Sequence, residues 1–110
     1  MTVSYFVRYQ GAPNDPKAFL DYYRHTHAGF MQAFPRVRSA ILHHPIAWND
    51  PVPVKPDTRF MLAQVMFEDA ASLNAALQSE ARQRSRADFK NMPSFAGEIT
   101  HQACEAEILF

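Results

Sequence analysis

Apolar positions near the start of the chain repeat first with the period of a strand and then with that of a helix. The stretch Val3–Tyr9 is rich in β-branched and aromatic residues, and a glycine and a proline follow it, which predicts a first strand. Asp15 is a helix-capping residue, and Pro16 fits the first helical position, where a missing N–H costs no hydrogen bond. The predicted helix ends near Phe34, because Pro35 cannot continue it.

The apolar face of this predicted helix carries one histidine. Phe19, Tyr23 and His27 are spaced four residues apart and therefore lie on one stripe of an α-helix. The stripe continues through Phe30, Met31 and Phe34. Because such a stripe must face a core or a cavity, His27 is either a core residue with its nitrogens satisfied or a general acid/base at the end of a pocket.

The rest of the chain predicts three more strands, a second helix and a long loop. The strands are expected at Val37–His44, Phe60–Phe67 and Glu105–Phe110. Glu68-Asp69 begins the second helix, and Ser79–Lys90 predicts a further helical turn or two. Pro45–Asp57 is rich in proline, which indicates a stiff loop that is long enough to be a lid or an oligomer arm.

The order βαββαβ is the ferredoxin-like plan, an α+β fold with a four-stranded antiparallel sheet and two helices on one face. The third predicted strand is apolar on both faces apart from Gln64. One face carries Phe60, Leu62 and Met66, and the other carries Met61, Ala63, Val65 and Phe67. A sheet that is apolar on both faces but covered by helices on only one needs a second cover. The pattern therefore predicts a homodimer in which two sheets pack face to face, with a cavity between sheet and helices.

Length and composition restrict the class of protein. The 110 residues fit a single domain spanning 1–110, and a hydrophobic content of 47% is enough for one core. The formal net charge of zero argues against nucleic acid or an acidic membrane as the main partner. Cys104 is the single cysteine, which favours a reducing compartment. Because the sequence has no apolar run of about 18 residues and no signal-peptide pattern, we expect a cytoplasmic protein.

His27 is the first candidate for chemistry, because an imidazole with an ordinary pKa of about 6.5 can take and give a proton at neutral pH. Tyr23, one turn earlier, would orient His27 or offer its hydroxyl to an oxyanion, or else pack with its hydroxyl at the surface. Gln64 would hydrogen-bond a ligand in the cavity, or make an edge or interface contact. Trp48, in the proline-rich loop, would cap the cavity or anchor a dimer contact.

The other histidines do not predict a metal site. His25 and His27 lie about 200° apart on an α-helix, which steps about 100° per residue, so they cannot chelate one ion. His43 and His44 point to opposite faces of a strand, so only one of them can enter the cavity. The sequence also lacks HExxH, CxxC and acidic-histidine ligand spacings. We expect no intrinsic metal and no other cofactor, although a haem held by one histidine leaves no spacing signature and stays open.

A run of arginines follows the second helix. Arg82, Arg84 and Arg86 fan around a helix, and Glu80 and Asp88 flank them. Mixed charges in this arrangement are typical of a solvated surface rather than of a nucleic-acid patch.

The first predicted helix resembles the signature of a known family. The stretch Phe19-x-x-Tyr22-Tyr23-x-x-x-His27 is similar to the pattern of Phe, Tyr, an aromatic and His in helix one of the EthD family, named for a protein needed in ethyl tert-butyl ether degradation. The Phe67-Glu68-Asp69 junction and the Ser79…Asp88 spacing support the resemblance, which covers about residues 3–95. Where the family usually follows its histidine with a Pro-Leu type pair, this chain has Ala28-Gly29-Phe30.

The resemblance implies a dimeric α+β barrel. The wider superfamily includes cofactor-free monooxygenases, polyketide cyclases, muconolactone isomerases and haem-using enzymes, and many of them act on small aromatic or alicyclic molecules. On this match His27 takes the place of the helix-one histidine of the family, and Tyr22 and Tyr23 take that of its paired aromatics. The resemblance supplies a fold more firmly than a reaction.

The sequence thus favours a small catabolic enzyme that acts on an apolar carbonyl or phenolic compound. His27 would move a proton, and Tyr23 and Gln64 would position an oxygen of the ligand. The expected ligand-binding residues are Gln64, Tyr22, Met66, Phe60 and Trp48. Oxygenation, isomerisation and cyclisation all remain open as reactions. The alternatives are a non-catalytic binding protein of a degradation pathway, a haem-dependent member of the same fold, and a purely structural dimerisation module.

Overall fold

A four-stranded antiparallel sheet forms one layer of the protein. The computed structural model describes residues 2–110. The strands are β1 (Val3–Pro13), β2 (Ser39–His43), β3 (Met61–Phe67) and β4 (Phe95–Glu105). They lie in the order β2-β3-β1-β4, and every neighbouring pair is antiparallel. This strand order confirms the ferredoxin-like α+β fold.

Helices cover one face of the sheet. They are α1 (Pro16–Tyr22), α2 (Ala28–Gln32), α3 (Ala70–Leu77) and α4 (Glu80–Ala87), and a 3₁₀ turn over Asp88–Asn91 follows α4. Side chains cap three of these helices. At the start of α1 the Asp15 carboxylate accepts a hydrogen bond from the Ala18 N–H at 3.1 Å, and at the start of α3 the Asp69 carboxylate accepts one from the Ser72 N–H at 2.8 Å. At the start of α4 the Ser79 hydroxyl accepts one from the Arg82 N–H at 3.1 Å. Each cap satisfies a backbone N–H that has no partner inside its helix.

The first helix is not the continuous α-helix that its sequence predicts. Residues Tyr23–His27 form a π turn between α1 and α2, in which the Ala28 N–H donates to the Tyr23 carbonyl five residues earlier. The regular helix also ends at Gln32, before Phe34. Tyr23 and His27 are both buried, as the apolar stripe predicts. A single π turn changes the hydrogen-bond ladder by one residue and is frequent at functional sites.

The last strand lies earlier than predicted. Strand β4 covers Phe95–Glu105, so only Glu105 of the strand expected at residues 105–110 lies in it, and Ile108, Leu109 and Phe110 are largely exposed. The apolar end of the chain carries the strand-like composition, but β4 forms where Gly97 can lie opposite Gly11 of β1. Both glycines have positive φ angles, 132° and 147°, and their backbones approach too closely for a side chain.

The two faces of the sheet differ in their cover. The helices bury the side of β3 that carries Met61, Ala63, Val65 and Phe67. Alternate β3 residues Leu62, Gln64 and Met66 are half-buried on the opposite face, where Phe6 of β1 lies beside Gln64. The stretch between β2 and β3, residues 44–60, is mostly exposed and forms neither helix nor strand. Within residues 2–110, every helix is too short or too polar to span a bilayer.

Candidate active site

A buried histidine and a buried aspartate form the centre of the candidate site. His27, at the end of the π turn, is 2% exposed, and Asp88, at the start of the 3₁₀ turn, is 3% exposed. Nδ1 of His27 lies 2.9 Å from Oδ2 of Asp88. A carboxylate can only accept, so Nδ1 carries the proton and Nε2 is the unprotonated nitrogen of the neutral ring.

Two further side chains hold the carboxylate in place. The Tyr22 hydroxyl donates to Oδ1 of Asp88 at 2.6 Å, and the Asn91 amide lies 3.4 Å from the same oxygen. Burial tends to raise the pKa of Asp88, but the hydrogen bonds from Tyr22, His27 and Asn91 outweigh burial and leave the pKa below its usual value. Asp88 is therefore a carboxylate at neutral pH, although it is buried.

The same environment keeps His27 neutral. Burial lowers the pKa of His27 below 6.5, the Asp88 carboxylate opposes this effect, and the nearby charge of Arg86 adds to it. A neutral imidazole whose tautomer is fixed by a carboxylate can accept a proton at Nε2 and carry the resulting charge beside that carboxylate. The hydrogen bonds found within residues 2–110 give the ring of His27 one partner, Asp88.

A narrow cavity of about 30 Å³ adjoins His27 on the helix-covered side of the sheet. This volume holds one or two water molecules. Its walls are mostly apolar and include Val7, Phe34 and Val65. The hydroxyl-bearing rings of Tyr5, Tyr9 and Tyr23 also line it. Burial raises the pKa of both Tyr9 and Tyr23, so these phenols stay protonated and can donate hydrogen bonds.

Tyr23 and Met31 separate this cavity from a second one. They line both the His27 cavity and an apolar recess of about 210 Å³, whose other walls include Ala28 of α2, Leu42 of β2 and Ala63 of β3. The Tyr23 hydroxyl lies 3.7 Å from Sδ of Met31. Methionine is unbranched and adapts its shape easily, so a change in the Met31 rotamer would connect the two spaces.

Two arginines of α4 also line the cavity. Nη2 of Arg82 donates to the Tyr5 hydroxyl at 3.2 Å, and Nη1 of Arg86 lies 3.5 Å from Nε2 of His101. The sequence-based interpretation of this run as a solvated surface does not describe Arg82, which is half-buried, whereas it agrees with Arg86, which is exposed although it also lines the cavity. It holds for Arg84, which is exposed and pairs with Glu80 at 2.7 Å.

The predicted ligand-binding residues lie in several places. Tyr22 contacts Asp88 rather than the cavity. The ring of Phe60 packs in the core, with ring centroids 5.9 Å from Phe19 and 6.2 Å from Phe95. Trp48 is 58% exposed and lines a groove beside the long loop, away from His27.

Gln64 and Met66 lie on the opposite face of the sheet from His27, so one protomer does not bring Gln64 and His27 to one ligand. The Gln64 amide donates to the Ser4 hydroxyl at 3.0 Å, and its carbonyl oxygen lies 3.0 Å from Nε2 of His43. His43 therefore also faces away from the cavity. Neighbouring strand residues alternate between faces, and the sequence alone does not tell which face a single polar residue takes.

No group of three or more metal-ligating side chains occurs within residues 2–110. A haem does not fit the histidine either, because the space beside His27 is about 30 Å³ and the aromatic rings of Tyr23 and Phe89 close around the imidazole.

Asp88 is the residue of the candidate site to which the sequence alone gave no role. In the sequence it follows three arginines in a polar stretch and is typical of a solvated helix end. Its spacing from Ser79 was the only available signal, and that came from the family resemblance. The burial of Asp88 depends on the packing of the 3₁₀ turn against the π turn, which involves residues 61 positions apart.

Comparisons with known proteins identify the fold. No protein-family model and no curated protein matches the sequence. An EthD family protein from Bacillus halodurans is similar in structure, with a TM-score of 0.77 and 20% identity over 97% of this chain and 100% of that one. SnoaB, a cofactor-independent oxygenase from Streptomyces nogalater, has a TM-score of 0.62 and 15% identity over 98% and 96% of the two chains.

A third similar structure is a dimeric ferredoxin-like protein of unknown function from Thermobifida fusca. Its TM-score is 0.65, with 6% identity over 96% of this chain and 92% of that one. All three identities are low, so the likeness concerns the fold. In fold, this chain resembles the EthD family, as the residues of its first helix imply.

Proposed function

We propose that this chain is an enzyme that removes a proton from a small, partly apolar carbonyl or phenolic compound without a metal. The observation that carries the proposal is the buried His27–Asp88 pair, which holds the proton on Nδ1 and leaves Nε2 unprotonated in a ring that lines the cavity. A base of this kind needs a fixed tautomer, a pKa not far below the working pH and access to the substrate. The proposal places a single-ring substrate in the space formed when a change in the Met31 rotamer joins the cavity of about 30 Å³ to the recess of about 210 Å³.

The proposed step uses the groups around the cavity in distinct roles. Nε2 of His27 takes the proton from a C–H or O–H bond, and the electron pair of that bond stays on the substrate as an enolate or phenolate. Asp88 stabilises the imidazolium that forms, while Tyr22 and Asn91 hold Asp88. The protonated hydroxyl of Tyr23 would donate to the developing oxyanion.

The fate of this anion decides the reaction. Return of the proton to another carbon gives an isomer. Formation of a C–O bond between the anion and dioxygen, with the proton of His27 passing to the outer oxygen, gives a hydroperoxide in which dioxygen has accepted the two electrons. The similarity in fold to SnoaB supports the reaction with dioxygen, because SnoaB is a cofactor-independent oxygenase. Proton removal is common to both outcomes and is the step that His27 is proposed to perform.

We also propose that the protein forms a homodimer through the face of the sheet that the helices leave open. Phe6, Leu62 and Met66 are half-buried there, and a second copy of the sheet would cover them. The dimeric neighbour from Thermobifida fusca supports this arrangement. In such a dimer Gln64 and Met66 are interface residues. A single domain over residues 1–110 and a cytoplasmic location stay predictions.

Deuterium exchange tests the proton transfer without knowledge of the substrate. The protein is incubated in D₂O with a panel of single-ring aryl and alicyclic ketones, and loss of the α-proton signal is followed by NMR. We expect the wild type to accelerate exchange, and His27→Gln to reduce the acceleration by about 100-fold or more. Asp88→Asn should also reduce the acceleration of exchange, because an amide at this position neither holds the proton on Nδ1 of His27 nor stabilises the charge of the imidazolium. For phenolic substrates, the consumption of dioxygen by the protein is measured in the presence of phenols, and we expect His27→Gln to reduce it.

His25→Gln is the matched control, because His25 is an exposed histidine two residues away in the same turn. Circular dichroism establishes that each variant is folded. Exchange at the wild-type rate in His27→Gln would contradict the proposal. Ligand binding without any exchange by the wild type would instead identify a non-catalytic binding protein.

A further inference from the structure

We propose that Arg82 and Arg86 form a subsite for an anionic group, in particular a carboxylate, at the end of the His27 cavity. The inference deepens the proposed function and rests on it for the role of His27. It narrows the substrate class from small carbonyl compounds to those that also carry a carboxylate.

The side chain of Arg82 is held against the sheet. It is partly buried, its Nη2 donates to the Tyr5 hydroxyl at 3.2 Å, and its guanidinium carbon lies 5.8 Å from the centre of the Tyr5 ring. One such bond uses one of the five N–H donors of a guanidinium and leaves the others for a ligand. Tyr5 therefore fixes the direction of Arg82 without neutralising it.

Arg86 lies one helical turn later, so it faces the same way as Arg82, and it is exposed at the mouth of the subsite. Its guanidinium carbon lies 4.8 Å from the centre of the Phe89 ring, and Nη1 lies 3.5 Å from His101. The charge of Arg86 also reaches into the cavity, because it contributes to lowering the pKa of His27, Tyr9 and His101. The cavity is thus electropositive at this end.

Neither arginine has an acidic partner among residues 2–110. The ion pairs of the described chain involve Lys17, Arg24, His27, Arg59 and Arg84. Arg84, between the two on α4, pairs with Glu80 instead. The nearby Asp88 carboxylate is already occupied by Tyr22, His27 and Asn91. Two adjacent cations beside a largely apolar cavity favour an anion, and guanidinium groups match a carboxylate in geometry.

The arrangement places the two ends of a ligand. With its carboxylate on Arg82 and Arg86, a ligand would direct its apolar part between Val7, Val65 and Phe34 towards His27. A ring is larger than this cavity of about 30 Å³, so it enters only when a change in the Met31 rotamer adds the recess of about 210 Å³. The acidic C–H or O–H group would then face Nε2. A carboxylated carbonyl or phenolic compound of single-ring size has the required groups.

The test compares benzoate with benzamide, which has nearly the same shape but no charge. Binding to the full-length protein is measured by isothermal titration calorimetry. We expect benzoate to bind at least about tenfold more tightly than benzamide, and more weakly as salt is added. Arg82→Gln and Arg86→Gln should each weaken benzoate binding about tenfold, while benzamide binding stays unchanged. Arg84→Gln, the control on the same helix, should bind benzoate as the wild type does.

Three results would overturn the subsite: equal binding of benzoate and benzamide, a loss of benzoate binding in Arg84→Gln as large as in the other two, or no binding of benzoate at all. These results are distinct from failure of the proposed function. If benzoate binding needs Arg82 and Arg86 while His27→Gln leaves ketone exchange unchanged, the subsite stands and the acid/base role falls. If ketone exchange needs His27 but benzoate does not bind, the acid/base role stands and the subsite falls.

Discussion

Oδ2 of Asp88 lies 2.9 Å from Nδ1 of His27, although 61 positions separate the two residues in the sequence. The contact joins the π turn that ends α1 to the 3₁₀ turn that follows α4. It determines which nitrogen of His27 carries the proton and therefore which one can act on a ligand. Both residues are buried, so removing either one leaves the other without its hydrogen-bond partner.

Tyr22→Phe tests whether Tyr22 positions the site rather than binding the ligand. The substitution removes the 2.6 Å hydrogen bond to Asp88 and should raise the pKa of that carboxyl towards its usual value. We expect kcat to fall about tenfold with KM unchanged, and the acid side of the pH profile to shift. Tyr23→Phe is the comparison, because Tyr23 lines the cavity. A rise in KM alone for Tyr22→Phe would show a direct contact with the ligand instead.

The stability of the protein should fall with acidification in a range set by His27. The folded pKa of His27 lies below 6.5, so the unfolded chain takes up a proton that the folded chain does not. Stability is therefore greatest above pH 6.5 and decreases as the pH falls towards the folded pKa. Asp88, whose pKa is also lowered, loses its contribution only at still lower pH, below 3.8.

Thermal denaturation between about pH 7 and pH 5 measures this effect. His27→Gln should show a smaller decrease in Tm over this range than the wild type. Part of the decrease should persist, because the pKa of His101 is lowered by burial and by the charges of Arg86 and Arg82. An identical pH dependence in the variant and the wild type would show that His27 does not have a lowered pKa.

Met31→Ala should join the His27 cavity to the apolar recess. Met31 is buried and lines both spaces, which measure about 30 Å³ and about 210 Å³. The substitution should cost about 2–5 kcal/mol of stability and should let the protein bind two-ring compounds that the wild type excludes. Titration with one-ring and two-ring ketones measures the change. Met92→Ala is the control, since Met92 lines neither space, and an equal gain in this variant would contradict the prediction.

Two glycine substitutions should have opposite effects on stability. Gly29 lies in α2 with open space around its Cα, so Gly29→Ala should raise the free energy of unfolding by about 0.5–1 kcal/mol through helix propensity. Gly97 has a φ of 147° and faces the backbone of β1, so Gly97→Ala should lower the free energy of unfolding by at least about 1–3 kcal/mol. Urea denaturation distinguishes the two, and a stabilised Gly97→Ala would contradict the observed β1–β4 pairing.

Local signals in the sequence were enough to place most of the fold. Asp15 and Pro16 start a helix by their own chemistry, and the apolar spacing of Phe19, Tyr23 and His27 predicts their burial even though a π turn interrupts the helix. β4 was misplaced because Ile108, Leu109 and Phe110 end the chain with an apolar run, whereas the actual strand is an edge strand of mixed polarity. Its pairing with β1 is a long-range property that composition does not reveal.

The site was less predictable than the fold. The inward position of His27 follows from periodicity, but its partner Asp88 lies in a charged stretch and is buried only through tertiary packing. Arg82 and Arg86 look the same in sequence as Arg84, and only the orientation of α4 on the sheet separates them. For Gln64, alternation along β3 identifies a polar position but not the face that it occupies.

The most direct test of the central claim is a ¹⁵N NMR titration of the imidazole nitrogens of His27. Because Asp88 holds Nδ1–H and burial lowers the pKa, we expect a neutral ring at pH 7 with the proton on Nδ1 and none on Nε2. The midpoint of its titration should lie below 6.5, and Asp88→Asn should disturb the tautomer. A neutral ring with the proton on Nε2, or a ring still charged at pH 7, would contradict the assignment of His27 as the base.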